Sequence, residues 1–166
     1  MTLSDFTTNF PSNPLDMVEL VAVSENWTFD RTDEHELDLE MAGAWGSYAV
    51  SVHWREDLEA LHVAAELNLK VTQERREVLV DLLALINEQL FLGHFDLWSD
   101  ENVILFRYGL LLGSDVYMTA SQCERLFTIA SSACDRFFPA FQYVLIEGKT
   151  PKEALSAALF DTQGQA

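Results

Sequence analysis

An alternation of apolar and polar side chains between residues 36 and 69 constrains the fold most strongly. Three runs place an apolar residue at every second position, which is the period of a β-strand with one buried face. The runs are 37–41, 48–54 and 61–69. If Met41 pairs with Tyr48 and Arg55 with Ala60, the apolar sides of all three strands coincide. The pattern therefore predicts an antiparallel meander over one core.

A second hairpin is predicted from Gly93 to Leu112, with a loop at 99–102. Pairing Trp98 with Val103 directs one apolar side of this hairpin to the core. The other side is more apolar than a solvated face usually is, since it carries Trp98, Val103, Leu105, Arg107 and Leu111. We predict that these five residues bind a partner or a second copy of the chain. The alternative is that the last helix or the N-terminal tail covers them.

Four helices are expected around these strands. Asn13 caps the first, and apolar residues at helical spacing extend the second to Phe91 and Leu92, where Gly93 ends it. Thr119 begins the third, which Pro139 should kink or break, and Thr150 begins the fourth.

The resulting order is α-β-β-β-β-α-β-β-α-α. This order predicts an α+β two-layer sandwich, in which an antiparallel sheet of about five to six strands carries helices on one face. We expect a flexible tail at 1–12, a single domain at 13–161 and a frayed C-terminus at 162–166.

Charge and composition restrict the partner class. The chain of 166 residues has 27 acidic and 10 basic side chains, a net charge of −17. Nucleic acids and anionic lipids attract cationic surfaces, so we expect neither as a partner and favour a basic or amphipathic protein segment. The charge could alternatively serve solubility alone. No secretory signal or membrane-spanning run is visible, and Cys123 and Cys134 read as reduced, which together predict a cytoplasmic protein.

Candidate reactive groups are few. The predicted pairing aligns Glu36, His53 and His62 in a row that could hold zinc or nickel, although an exposed polar row is the favoured interpretation. Cys123 and Cys134 lie on an apolar helical stripe, which favours packing over nucleophilic chemistry. Acid–base work by Asp96 and Glu101 beside His94 is likewise disfavoured against ordinary hairpin polarity. The sequence therefore predicts no catalytic residue, no cofactor, no metal site and no enzyme.

Short segments carry a family resemblance. Leu92-Gly-His-Phe-Asp-Leu-Trp98 followed by Phe106-Arg-Tyr108 resembles the YbjN family of bacterial proteins, as do Gln122-Cys-Glu124 and Phe138-Pro-Ala-Phe-Gln-Tyr-Val144. The resemblance covers roughly residues 13 to 161. It implies a sensory transduction regulator with a fold similar to the type III secretion chaperones, which are small acidic proteins, usually dimers, that bind polypeptides. It brings no catalytic or ligand-binding residues.

These observations together predict a non-enzymatic regulator or adaptor that binds other proteins, either a second copy of the chain or a different polypeptide. Two alternatives remain open. One is a chaperone-like escort of a partner polypeptide. The other is a small-ligand sensor, which would need polar groups converging inside the apolar layer between sheet and helices.

Overall fold

The computed structural model describes residues 12–113 and 116–163. The helices are α1 (Pro14–Ser24), α2 (Arg76–Asn87), α3 (Ala120–Leu145) and α4 (Pro151–Gln163). The strands are β1 (Thr28–Arg31), β2 (Glu36–Gly43), β3 (Gly46–Arg55), β4 (Ala60–Leu67), β5 (His94–Trp98) and β6 (Val103–Leu111). The predicted element order and α+β class are confirmed. Residues 1–11 of the predicted tail and residues 164–166 of the predicted frayed C-terminus lie outside the described residues.

The strands form a six-stranded antiparallel sheet in the order β1-β2-β3-β4-β6-β5. The predicted registers are confirmed, because Met41 pairs with Tyr48, Arg55 with Ala60 and Trp98 with Val103. The apolar side of every strand consequently faces the same way, and α1, α2 and α3 pack on that side of the sheet. α4 packs on α3 and α2 and so extends the helical layer.

Side-chain caps begin three of the helices as predicted. The Asn13 carboxamide accepts a hydrogen bond from the Leu15 amide at 2.9 Å. Thr119 forms a reciprocal capping box with Gln122, and Thr150 forms the equivalent pair with Glu153. Each cap satisfies amide donors that lack a partner in the first helical turn.

The second helix is shorter than predicted, because α2 ends at Asn87 and not at Leu92. The Asn87 carboxamide binds both main-chain groups of Phe95, accepting from its amide at 2.8 Å and donating to its carbonyl at 3.0 Å. This bridge between the helix end and β5 fixes where the chain must leave the helix. Phe91 consequently lies on a surface loop with 98% of its side chain exposed.

The third helix continues through Pro139, so the expected break there is wrong. Proline has no amide hydrogen, which deprives the carbonyl four residues earlier of its helical donor. That carbonyl belongs to Asp135, and it accepts a hydrogen bond from the indole Nε1 of Trp45 at 2.9 Å. The turn between β2 and β3 thus supplies the donor that the helix lacks.

The core between sheet and helices is apolar. No polar or charged side chain among the described residues is buried, and no buried side-chain nitrogen or oxygen there lacks a hydrogen-bond partner. Phe95 packs edge-on against Phe106, Phe137 and Phe141, with ring centroids 5.2–6.0 Å apart. These aromatic contacts fix the second hairpin against α3, which positions its opposite side as an outer surface.

Candidate protein-binding surface

The outer face of the sheet is the side turned away from the helices. Alternation along the strands places on this face the residues that do not enter the core, including all five predicted partner-binding residues. The predicted alternative of cover by the last helix does not apply, because α4 packs on α3 and α2. Cover by the N-terminal tail falls outside the described residues.

The structure brings four of the five predicted residues together. Trp98 and Val103 form a cross-strand pair, Leu105 follows on β6, and Arg107 reaches back to within 5.9 Å of the Trp98 ring centroid. Leu111 pairs with Ala60 at the far end of β6. Six residues of strand separate it from Leu105, which corresponds to about 20 Å. We call these five residues the hairpin face.

Exposure within the hairpin face is uneven. The Trp98 side chain is 42% exposed and that of Leu111 is 78% exposed, whereas Leu105 is only 6% exposed. No described helix covers Leu105; its neighbours on this face are its cross-strand partners Glu66 and Asp96, and Arg107 two residues further along β6. The Arg107 Nη1 donates to Asp96 Oδ2 at 2.9 Å, and Asp96 is the direct cross-strand neighbour of Leu105. A partner would therefore meet the tryptophan, the guanidinium and Leu111 first.

Arg107 also binds a histidine on the neighbouring strand. Its Nε donates to His62 Nε2 at 3.1 Å, so the neutral imidazole carries its hydrogen on Nδ1. Burial lowers the pKa of His62, and the positive charge of Arg107 and the nearby His53 and His94 lower it further. The hydrogen bond and the lowered pKa both favour a neutral His62 at physiological pH.

The predicted row of Glu36, His53 and His62 does form across β2, β3 and β4. Within the described ranges, however, no three histidine, cysteine or carboxylate side chains are grouped closely enough to hold a metal ion. The imidazole of His62 is instead engaged by Arg107. The row is thus a set of polar side chains on the outer face of the sheet, in which His62 binds Arg107.

Both cysteines are buried in α3 as free thiols. Burial raises the pKa of Cys123 to about 12, and it raises the pKa of Cys134 to about 12. A thiol must ionise to act as a nucleophile, so neither group is reactive at neutral pH in the folded chain. Their predicted role in packing agrees with this environment.

A polar cluster at the β2–β3 turn was not foreseen. The Asp135 Oδ1 accepts hydrogen bonds from the Tyr48 hydroxyl at 2.7 Å and from the Ala44 amide at 2.8 Å. The Trp45 ring stacks on Phe138 with centroids 5.9 Å apart. The available sequence signal was Pro139, whose missing amide requires a replacement donor near Asp135. The cluster joins the turn to α3 and is structural.

A second unforeseen surface lies on the helical side of the molecule. The loop after α2 presents Phe91 and Leu92, and hollows open on either side of Leu92 against α3. The prediction that α2 continues to Leu92 concealed this loop, because it assigned Phe91 and Leu92 to the end of the helix. No helix among the described residues is both long and apolar enough to cross a bilayer.

Comparison with known proteins identifies the family. No curated protein matches the chain in sequence. A crystal structure titled "YbjN, a putative transcription regulator from E. coli" has a similar fold, with a TM-score of 0.55 at 12% identity over 76% of this chain and 89% of that one. The family model YbjN, described as "Putative bacterial sensory transduction regulator", matches residues 14–143. Since that match covers well over half of the chain, the chain belongs to the YbjN family.

Proposed function

We propose that this protein is a non-enzymatic, cytoplasmic regulator that acts by binding another protein through the hairpin face. The observation that supports this most strongly is the exposure of Trp98, beside its cross-strand partner Val103, on a sheet face that no described helix covers. Contiguous apolar surface that is left uncovered marks interaction sites, whereas single exposed apolar residues are normal. Family membership supports a regulatory role, and the buried free thiols agree with a reducing compartment.

Charges around the hairpin face favour a basic or amphipathic partner segment. Arg107 is paired with Asp96, so its charge is locally compensated. Glu66 lies beside Leu105 on β4, and Asp100 and Glu101 occupy the hairpin loop. A cationic partner side chain would be attracted to these carboxylates while an apolar one covers Trp98, which is a common division between interface rim and centre.

Comparative affinity capture tests this proposal. Wild type, Trp98→Ser and Phe160→Ser would each be used to capture proteins from the native host, followed by mass spectrometry and light scattering. Phe160 is the matched control, because its side chain is 82% exposed and lies on α4, away from the outer face. We expect a protein, or a second copy of the chain, to be retained by wild type and Phe160→Ser and lost from Trp98→Ser. Equal retention by all three would contradict the assignment.

A further inference from the structure

A groove runs along α3 on the helical side of the protein, separate from the hairpin face. It consists of two adjacent hollows with volumes of about 370 and 230 Å³, and Leu92 and Ile129 line both. We call it the α3 groove and define it by six lining residues, Leu92, Leu110, Arg125, Ile129, Ala133 and Arg136. Its walls are mainly apolar, and the exposed ring of Phe91 stands at its rim.

The α3 groove differs in the charge of its lining residues from two other hollows on the described surface. No carboxylate lines either part of it, although acidic side chains outnumber basic ones 27 to 10 in the chain. The hollow on the other flank of α3 carries Glu25 and Glu124, and the one beside the N-terminus of α1 carries Glu56 and Glu59. The groove is thus lined by two arginines and no carboxylate, on a molecule with a net charge of −17.

Its two arginines are available to a ligand. Arg125 and Arg136 are exposed, and neither forms an ion pair with a described residue. The guanidinium of Arg136 lies 5.0 Å from the ring centroid of Phe137, which orients it beside the apolar wall. An unpaired guanidinium at the edge of an apolar hollow can bind a carboxylate strongly, since it offers several donors in one plane.

The spacing of the arginines indicates the shape of that ligand. They are eleven residues apart in one helix, a distance of about 16 Å or three turns. Ile129 and Ala133 lie between them at helical spacing on the same face. A second helix laid along the groove repeats at the same rise, so carboxylates eleven residues apart would meet both arginines.

We infer that the α3 groove binds an acidic amphipathic helix of a partner protein. Apolar side chains of that helix pack against Leu92 and Ile129, and a carboxylate near each end pairs with Arg125 or Arg136. This mode of recognition uses a helix face with anchors at successive turns. It extends the proposed function by a second surface whose charge preference is opposite to that of the hairpin face.

A designed peptide tests this inference directly. The probe is a fluorescein-labelled, helix-stabilised peptide with two glutamates eleven residues apart and leucines four and seven positions after the first. Binding would be measured by fluorescence anisotropy to the full chain, to the double variant Arg125→Glu/Arg136→Glu and to the control Lys70→Glu/Lys152→Glu. Both variants change net charge equally, but Lys70 and Lys152 line neither part of the groove.

We expect the groove variant to bind at least tenfold more weakly than wild type and the control to bind within twofold of it. A peptide with lysines in place of the two glutamates should prefer the groove variant. Absence of peptide binding to wild type, or equal loss in both variants, overturns the inference. Two further results would overturn the inference, because the chain itself would then occupy the groove. One is peptide binding that appears only after removal of residues 1–11. The other is a wild-type dimer that Phe91→Ser dissociates. Trp98→Ser should leave peptide binding unchanged, which separates this test from that of the hairpin face.

Discussion

The indole Nε1 of Trp45 lies 2.9 Å from the main-chain oxygen of Asp135, four residues before Pro139 in α3. Trp45 belongs to the two-residue turn between β2 and β3, so the donor comes from a distant part of the chain. The pair explains how a helix of 26 residues continues through an internal proline. It also joins the meander to the longest helix of the protein.

Replacing Trp45 with Phe should therefore lower the free energy of unfolding by about 1 kcal/mol, because the Asp135 carbonyl loses its donor while the stacking on Phe138 is largely kept. In a Pro139→Ala background the restored helical amide supplies that donor, and the same substitution should cost less than half as much. Urea unfolding of the four chains in this cycle measures the difference. An equal cost in both backgrounds would show that the hydrogen bond does not compensate for the proline.

Truncation of two leucines on the same face of β6 should lower the free energy of unfolding by very different amounts. Leu105→Ala should cost about 2 kcal/mol, because this leucine is only 6% exposed. Leu111→Ala should change stability by less than about 0.5 kcal/mol, because its side chain is 78% exposed. Partner capture should be reduced by Leu111→Ala. Comparable stability losses in urea would contradict the difference in burial between the two leucines.

The environment of His62 predicts a dependence of stability on pH. Its pKa is lower in the folded chain than in the unfolded chain, so the unfolded state binds more protons between the two values. The free energy of unfolding should consequently fall as the pH drops below about 6.5, the ordinary histidine pKa. Arg107→Gln removes one cause of the shift, and NMR titration should then show a higher pKa for His62. An unchanged titration would exclude Arg107 as a cause.

The buried thiols predict a loss of stability at alkaline pH. The pKa of Cys123 is raised to about 12 in the folded chain, and that of Cys134 is likewise raised to about 12. Above the ordinary thiol pKa the folded state therefore retains protons that the unfolded state has released, and unfolding becomes more favourable as the pH rises. Cys123→Ala/Cys134→Ala should remove this component. At neutral pH a thiol reagent should modify neither cysteine until denaturant is added, and rapid modification of the folded chain would contradict their burial.

The strand registers could be predicted from sequence because alternation is a local signal and the connecting turns are short. Pairing Met41 with Tyr48 brings together apolar residues that any one-residue slip would expose. The end of α2 could not be predicted in this way, since apolar spacing continues to Leu92. What ends the helix is the contact of Asn87 with Phe95, which exists only after β5 has docked.

The candidate surfaces likewise combine features that local alternation predicts with features that depend on tertiary contacts. Alternation placed Trp98, Leu105 and Leu111 on the outer face, but periodicity does not show that Leu105 is buried there or that Arg107 reaches Asp96 and Trp98. The α3 groove was missed because it depends on the loop after α2 leaving the helix early. Helical spacing alone shows Arg125 and Arg136 on one side of α3, without showing which element lies opposite them.

Photo-crosslinking from the hairpin face tests the central claim most directly. A benzophenone amino acid would replace Trp98 in one chain and Phe160 in another, and each would be irradiated in the native host. We predict a discrete crosslinked adduct from position 98 and none of the same mass from position 160, because only the former lies on the uncovered sheet face. No adduct from position 98, or the same adducts from both positions, would contradict a partner-binding role for this surface.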